Sequence, residues 1–198
     1  MSRILICSNH LEKLQGSELV TLEMVEFMLD QGWHVDVFAH LLGGDIQNEF
    51  EKLPCQDRLL VTDDDSYPFE QAYDIVWIQH SVLNSYLIER LCKEGMQTRF
   101  IFNHMSSFAA MEMPLDTGLE NRLAAMVLAV SHECAAMLEQ KGIEKEKIIL
   151  FDNPAPVKFT ATSAEYKETL KNVLCISNHP PREVLEARRM LEEQGIRC

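Results

Sequence analysis

The chain has few basic residues. Lys and Arg number 18 against 31 Asp and Glu in 198 residues, which gives a formal net charge of -13. Phosphate backbones require a basic surface, so this balance argues against a nucleic-acid partner. It also disfavours an anionic membrane surface, although a local basic patch would still allow peripheral membrane contact.

Long apolar runs and cysteine motifs are also missing. No apolar run approaches the ~20 residues that a membrane-spanning helix needs. The six cysteines include no C-x-x-C pair, no N-x-S/T sequon occurs, and no secretory signal opens the sequence. These absences disfavour a structural zinc site and predict a cytoplasmic protein with reduced thiols. Three cysteines lie in or beside apolar runs and are predicted to be buried: Cys7, Cys134 and Cys175.

The composition is that of a folded protein. Hydrophobic residues make up 46% of the chain and charged residues 25%, which excludes disorder. A chain of this length suits one domain, or one domain with a fragment of another.

Short apolar runs alternate with helical patterns along the chain. Residues 3–7 are too short for a helix and rich in β-branched side chains, so they predict a buried first strand that ends at Ser8. Apolar residues then recur at helical spacing over residues 19–29. Ser17 suits the N-cap of this helix, and Gly32 suits the left-handed position that follows it.

Six further strands are predicted in this part of the chain. They lie at residues 34–39, 59–62, 75–79, 99–103, 127–130 and 148–151, with helices at 84–94, 119–125 and 132–141. Strands that alternate with helices require right-handed crossovers. The predicted fold class is therefore α/β, with a Rossmann-like parallel sheet covered by helices on both faces.

The pattern breaks and restarts near the end of the chain. Residues 153–156, Asn-Pro-Ala-Pro, follow the seventh strand, and the stretch up to Lys171 is polar and weakly patterned. A strand at 173–177 and a helix at 182–194 then begin a new unit. We expect a first domain at residues 1–160, a linker at 161–171 and a fragment of a second domain at 172–198.

Polar residues follow several strands, at the edge where open parallel sheets bind ligands. The first strand leads to Gly16, Ser17 and Glu18, and the fourth and fifth lead to His80 and His104. The start of the first helix offers free N–H groups to a phosphate or a sugar hydroxyl, or serves only as a helix entry. Each histidine either joins a site over one cleft or hydrogen-bonds to a loop.

Ser131 follows the sixth strand and suits both an N-cap and a ligand-facing loop. Residues 63–65 are three consecutive aspartates, a pattern more often solvated than metal-binding. His10, His34 and His40 are interpreted as surface or turn residues. Neither a G-x-G-x-x-G fingerprint nor a P-loop lysine occurs, which disfavours NAD and P-loop nucleotide chemistry.

The opening of the chain resembles the family 4 glycosyltransferases, which have the GT-B fold. That family has a G-G-[SA]-E loop, a helix and a G-H-x-V-x-V strand; residues 15–18 here read Gln-Gly-Ser-Glu, and residues 32–37 read Gly-Trp-His-Val-Asp-Val. The resemblance continues through residues 73–80, 128–131 and 147–154 in the family's order, and so covers nearly the whole chain. Gln15 replaces the first glycine, and Trp33 is inserted before the histidine.

The resemblance implies a two-domain enzyme whose N-terminal domain holds the acceptor and whose C-terminal domain holds a nucleotide-sugar. The implied reaction is glycosyl transfer with retention at the anomeric carbon, without an obligatory metal or other cofactor. By analogy, Gly16, Ser17 and Glu18 would approach the donor phosphates or the acceptor. His104 would contact the transferred sugar, and His80 and Ser131 would line the site. The 198 residues alone are then expected to be inactive.

A second interpretation stays open at this stage. The chain could be a non-catalytic α/β binding or regulatory module with a vestigial cleft. The missing first glycine and the Asn153-Pro154 turn, where the family commonly has Asn-Gly, keep this alternative open.

Overall fold

The computed structural model describes residues 2–79, 85–92, 97–105, 117–151 and 182–197. Internal contacts divide the chain into two compact units, Met1–Pro154 and Ala155–Cys198. No helix within the described ranges is long and apolar enough to cross a membrane.

The first unit is built on a parallel sheet. Its strands are β1 (Arg3–Leu11), β2 (His34–Leu42), β3 (Leu59–Thr62), β4 (Ile75–Gln79), β5 (Arg99–His104), β6 (Ala124–Ala129) and β7 (Ile148–Leu150). The helices are α1 (Gly16–Asp30), α2 (Gly44–Glu51), α3 (Ser85–Leu91), α4 (Thr117–Leu123) and α5 (His132–Gln140).

All neighbouring strands run parallel, in the order β3-β2-β1-β4-β5-β6-β7. The predicted α/β class with a parallel sheet is confirmed. The chain builds β2 and β3 on one side of β1 and β4 to β7 on the other, so the strand order reverses between β1 and β4. Ligands of open α/β sheets bind at such a reversal, outside the carboxyl ends of the strands.

The core has two layers, one on each face of the sheet. Successive side chains of a strand point to opposite faces, so Phe100 and Phe102 of β5 pack with Cys134 and Leu138 of α5. Ile101, between them, belongs to the cluster on the other face, which also includes buried residues of α1 and α2. The thiols of Cys7 and Cys134 are buried as predicted, whereas Cys175 lies outside the described residues.

Several predicted boundaries were wrong. β1 continues past Ser8 to Leu11, because its backbone stays paired with β2 through His10 and Leu41. The N-cap of α1 is Gln15 rather than Ser17, because the helix already begins at Gly16. Gly32 takes the expected left-handed conformation, at a φ of 82°.

α2 was not predicted, and the predicted helix at 119–125 ends earlier. Only Ile46 and Phe50 of α2 are buried, which leaves a weak helical pattern. Ala124 belongs to β6 because it pairs with Phe100 of β5. The first residue of α2, Gly44, has a positive φ and lies so close to the Glu12 carbonyl oxygen that a Cβ would clash with it.

The second unit contains α6 (Arg182–Glu193) within its described residues. Ion pairs spaced four residues apart run along this helix, including Arg182 with Glu186 at 2.9 Å and Arg188 with Glu192 at 2.8 Å. Such pairs stabilise an exposed helix modestly. The strand predicted at 173–177 and the linker lie outside the described residues, so the domain bounds stay a prediction.

The burial of a side chain predicts how much its truncation destabilises the fold. We expect Phe102→Ala to lower the free energy of unfolding by about 3–5 kcal/mol, because Phe102 is 1% exposed and its removal leaves a cavity. Phe27→Ala is the matched control, since Phe27 is 57% exposed and should change stability by about 0.5 kcal/mol or less. Urea unfolding followed by the fluorescence of Trp33 and Trp77 measures both. Equal losses in the two variants would contradict the core assignment.

Candidate functional site

The candidate site lies at the carboxyl ends of β1, β4 and β5, where the strand order reverses. The last residue of β4 is Gln79, and Asn103 stands beside it in register on β5. Both side chains are buried, at 0% and 2% exposure. Asn103 Nδ2 donates a hydrogen bond to Gln79 Oε1 at 2.9 Å.

Gln79 also hydrogen-bonds to the first turns of α1. Its Nε2 donates to the Ser17 carbonyl oxygen at 3.3 Å and to the Thr21 hydroxyl. The Thr21 hydroxyl donates in turn to the Ser17 carbonyl at 2.9 Å. The start of α1 is therefore bonded through buried side chains to two central strands.

Gly16, Ser17 and Glu18 form the first turn of α1, which Gln15 precedes without a side-chain capping bond. The first N–H groups of a helix have no partner inside the helix, so this turn presents donors at the sheet edge. Gly16 is exposed, and a Cβ there would have no described atom within 4 Å.

Glu18 is buried in this turn at 1% exposure. Ser17 Oγ donates to Glu18 Oε2 at 2.8 Å. The other oxygen, Oε1, lies 3.5 Å from Nε2 of His10 and accepts no hydrogen bond from the residues that the structure describes. The structure thus adds His10, interpreted from the sequence as a surface or turn residue, to the neighbourhood of Glu18.

His104 ends β5 and points to the opposite face of the sheet from Asn103. Its Nε2 lies 2.7 Å from Oε1 of Glu120 in α4, and the two side chains are 3% and 0% exposed. An ionised carboxylate only accepts hydrogen bonds, so with Glu120 charged Nε2 donates and Nδ1 is the remaining ring nitrogen. Within the described part of the chain, Glu120 Oε2 accepts no hydrogen bond.

α5 supports the backbone at the end of β5. Cys134 Sγ donates to the His104 carbonyl oxygen at 3.6 Å, and burial raises the pKa of the Cys134 thiol. Ser131 is the N-cap of α5, where its Oγ accepts from the Cys134 N–H at 3.1 Å. His80 lies outside the described residues.

The predicted site residues therefore fall into two groups. Gly16, Ser17 and Glu18 lie over the face that α1 covers, and His104 lies on the face that α4 and α5 cover. The dipeptide Asn103-His104 joins the groups, since its two side chains turn to opposite faces. Sequence analysis missed Gln79, Asn103 and Glu120. Gln79 and Asn103 could have been found, because each is a polar residue at the end of an apolar strand.

A separate groove of about 850 Å³ lies at the amino ends of β1 to β3. Its buried carboxylate, Asp36, accepts from Arg3 at 2.8 Å and from the Tyr73 hydroxyl at 2.7 Å. Burial and this hydrogen bond raise the pKa of Tyr73. Because these polar groups already satisfy one another, we attribute the groove to packing.

No protein-family model matches the chain, and no curated protein sequence matches it. Solved structures do match. The galactosyltransferase of the lipopolysaccharide outer core, WaaB, superposes with a TM-score of 0.64 at 13% identity, over 96% of this chain and 57% of WaaB. HepE of Anabaena in complex with UDP-glucose superposes with a TM-score of 0.55 at 15% identity, over 97% of this chain and 50% of HepE.

The fold is that of a GT-B glycosyltransferase domain. At these identities the likeness establishes the fold alone. The chain spans about half the length of the GT-B proteins that it matches.

The amide contacts of Gln79 predict a stability effect. Gln79→Leu should lower the free energy of unfolding by about 2–3 kcal/mol, because Asn103 and Thr21 lose a buried partner that Leu cannot replace. Gln140→Leu, on the exposed end of α5, is the control and should change stability by about 0.5 kcal/mol or less. Urea unfolding compares the two, and a loss no greater than that of the control would refute the structural role of Gln79.

Proposed function

We propose that this chain is the acceptor-binding half of a glycosyltransferase that uses a nucleotide-sugar donor and retains the anomeric configuration. The observation that carries the proposal is the superposition of nearly the whole chain on HepE, a protein solved with UDP-glucose. The polar residues at the strand reversal between β1 and β4 support it, because this is where open α/β sheets bind ligands.

The proposed reaction needs positioning more than acid–base chemistry. A diphosphate leaves an oxocarbenium-like sugar, so the groups that matter are those that orient the sugar and stabilise developing charge. Gly16 and Ser17 are proposed to contact either the donor phosphates or the acceptor. His80 and Ser131 are proposed to line the site.

His104 is proposed to contact the transferred sugar through Nδ1. Glu120 supports this role because its carboxylate accepts from Nε2 at 2.7 Å and so fixes the orientation of the ring. The two side chains are buried, so the contact requires the sugar to reach the end of β5. A contact of this kind accelerates transfer only if it strengthens in the transition state.

The division of roles predicts weak donor binding by the 198-residue chain. Calorimetric titration with UDP-glucose should give a Kd above about 0.1 mM, because the proposed donor site lies outside this half. HepE titrated under the same conditions is the positive control. Micromolar binding to the 198-residue chain would contradict the proposed roles of the two halves.

The His104–Glu120 pair can be tested without unfolding the protein. His104→Ala alone leaves the Glu120 carboxylate buried and unpaired, which costs about 3–5 kcal/mol. The double variant His104→Phe, Glu120→Met replaces both groups with apolar ones and should stay within about 2 kcal/mol of the wild type. In a transferase that joins this chain to a donor-binding half, it should lower kcat by roughly 10²-fold or more.

The comparison separates a sugar contact from a purely structural pair. Wild-type turnover per folded molecule in the double variant would remove His104 from the site and leave the pair a structural role. Circular dichroism and thermal unfolding establish the folded fraction in each preparation.

A further inference from the structure

α4 is positioned by contacts outside the helix. It has seven residues, Thr117–Leu123, and a helix of that length is not stable alone in water. Two neighbouring side chains of α4 connect it to other elements. Glu120 is buried against Nε2 of His104, and Asn121 bonds to the segment that follows α5, which we call the α5–β7 loop (residues 141–147). The place of Glu120 beside the histidine therefore depends on how α4 is held.

Asn121 bonds to the α5–β7 loop through its side chain and its backbone. Its Nδ2 donates to the Gly142 carbonyl oxygen, and its Oδ1 accepts from the Glu144 N–H at 3.0 Å. Its carbonyl oxygen accepts from Lys147 Nζ. The last carbonyl groups of a helix have no partner inside the helix, so the Lys147 ammonium satisfies one of them and places a positive charge at the helix C-terminus. These contacts fix α4 in rotation as well as in position.

The backbone of His104 is held by the same segment of chain. The Val130 N–H and the Cys134 thiol both donate to the His104 carbonyl oxygen, at 3.2 and 3.6 Å. Cys134 belongs to the first turn of α5, and the α5–β7 loop continues directly from the other end of that helix. The backbone of His104 is thus bonded to the start of α5, and its ring is connected through Glu120 and Asn121 to the loop at the end of α5.

We propose that Asn121 is a positioning residue, which holds Glu120 in place and so keeps the His104 ring in the orientation that a sugar contact needs. The inference rests on the proposed function and deepens it, because it gives the α5–β7 loop a part in the same site. Asn121 acts through Glu120 rather than on the sugar. Its loss should therefore loosen the ring of His104 without removing it.

Nuclear magnetic resonance of the 198-residue chain measures this loosening directly. The Nε2 hydrogen of His104 lies in a buried pair with Glu120, so it exchanges with water only when the pair opens. Asn121→Ala removes two side-chain hydrogen bonds that hold α4. The exchange of this hydrogen should become faster by roughly tenfold, because each bond contributes to keeping the pair closed.

Two control variants lie in α2, away from this pair. Asn48→Ala makes the same substitution at an exposed position of another short helix. Ile46→Val shortens a fully buried side chain in the core layer on the other face of the sheet, so it lowers the overall stability without touching α4. Exchange at His104 should stay within about twofold of the wild type in both controls, because opening of the pair is local.

Turnover separates this inference from the proposed function. In a transferase that joins this chain to a donor-binding half, Asn121→Ala should lower kcat by about fivefold to tenfold and leave KM for the donor unchanged, because a misplaced ring weakens a contact of the transition state. Ile46→Val should keep the wild-type kcat per folded molecule.

The inference is overturned if exchange at His104 is unchanged in Asn121→Ala, or is accelerated equally in Ile46→Val. Faster exchange with wild-type kcat would also overturn it, while sugar transfer by the joined protein would leave the proposed function standing. A wild-type joined protein that transfers no sugar would refute the proposed function, and the exchange rates would still show whether Asn121 holds the ring.

Discussion

A buried pair of amide side chains holds the carboxyl edge of the sheet together. Asn103 and Gln79 are side by side at the ends of β5 and β4, where neither can reach water. Buried polar groups must be paired within the protein, so Gln79 bonds to Asn103 on one side and to the first turn of α1 on the other. This requirement fixes where α1 begins relative to the strands, and with it the place of Ser17 and Glu18.

The alternation of side chains along β5 divides the edge into two chemical environments. The Asn103 side chain lies on the face that α1 covers and bonds to Gln79. The next side chain, His104, lies on the face that α4 and α5 cover and bonds to Glu120. Each face contains a buried glutamate beside a histidine. The pairs are Glu18 with His10 and Glu120 with His104. In each pair the carboxylate lies against Nε2, so Nδ1 is the other ring nitrogen.

Most of the fold follows from local signals, and most of the site does not. The interiors of the strands are nearly continuous apolar runs, so their positions could be predicted, and Gly32 marks the end of α1. The start of α1 and the start of β6 were misplaced because both depend on partners distant in the sequence, Gln79 for the first turn of α1 and Phe100 for Ala124. The partners of His10 and His104 were invisible for the same reason: a helix meets a strand end only once the chain has folded.

The charges of the described residues agree with the proposed role of this chain as an acceptor-binding half. A diphosphate needs cations, yet several described arginines are bonded within the fold: Arg3 to Asp36, Arg90 to Asp65 and Glu70, and Arg58 to the Leu29 and Trp33 carbonyls. At the first turn of α1, where an anion would otherwise be attracted, the chain places Glu18. The net charge of -13 adds to this opposition at longer range. For the proposed function, these charges favour an acceptor over a donor diphosphate at this edge.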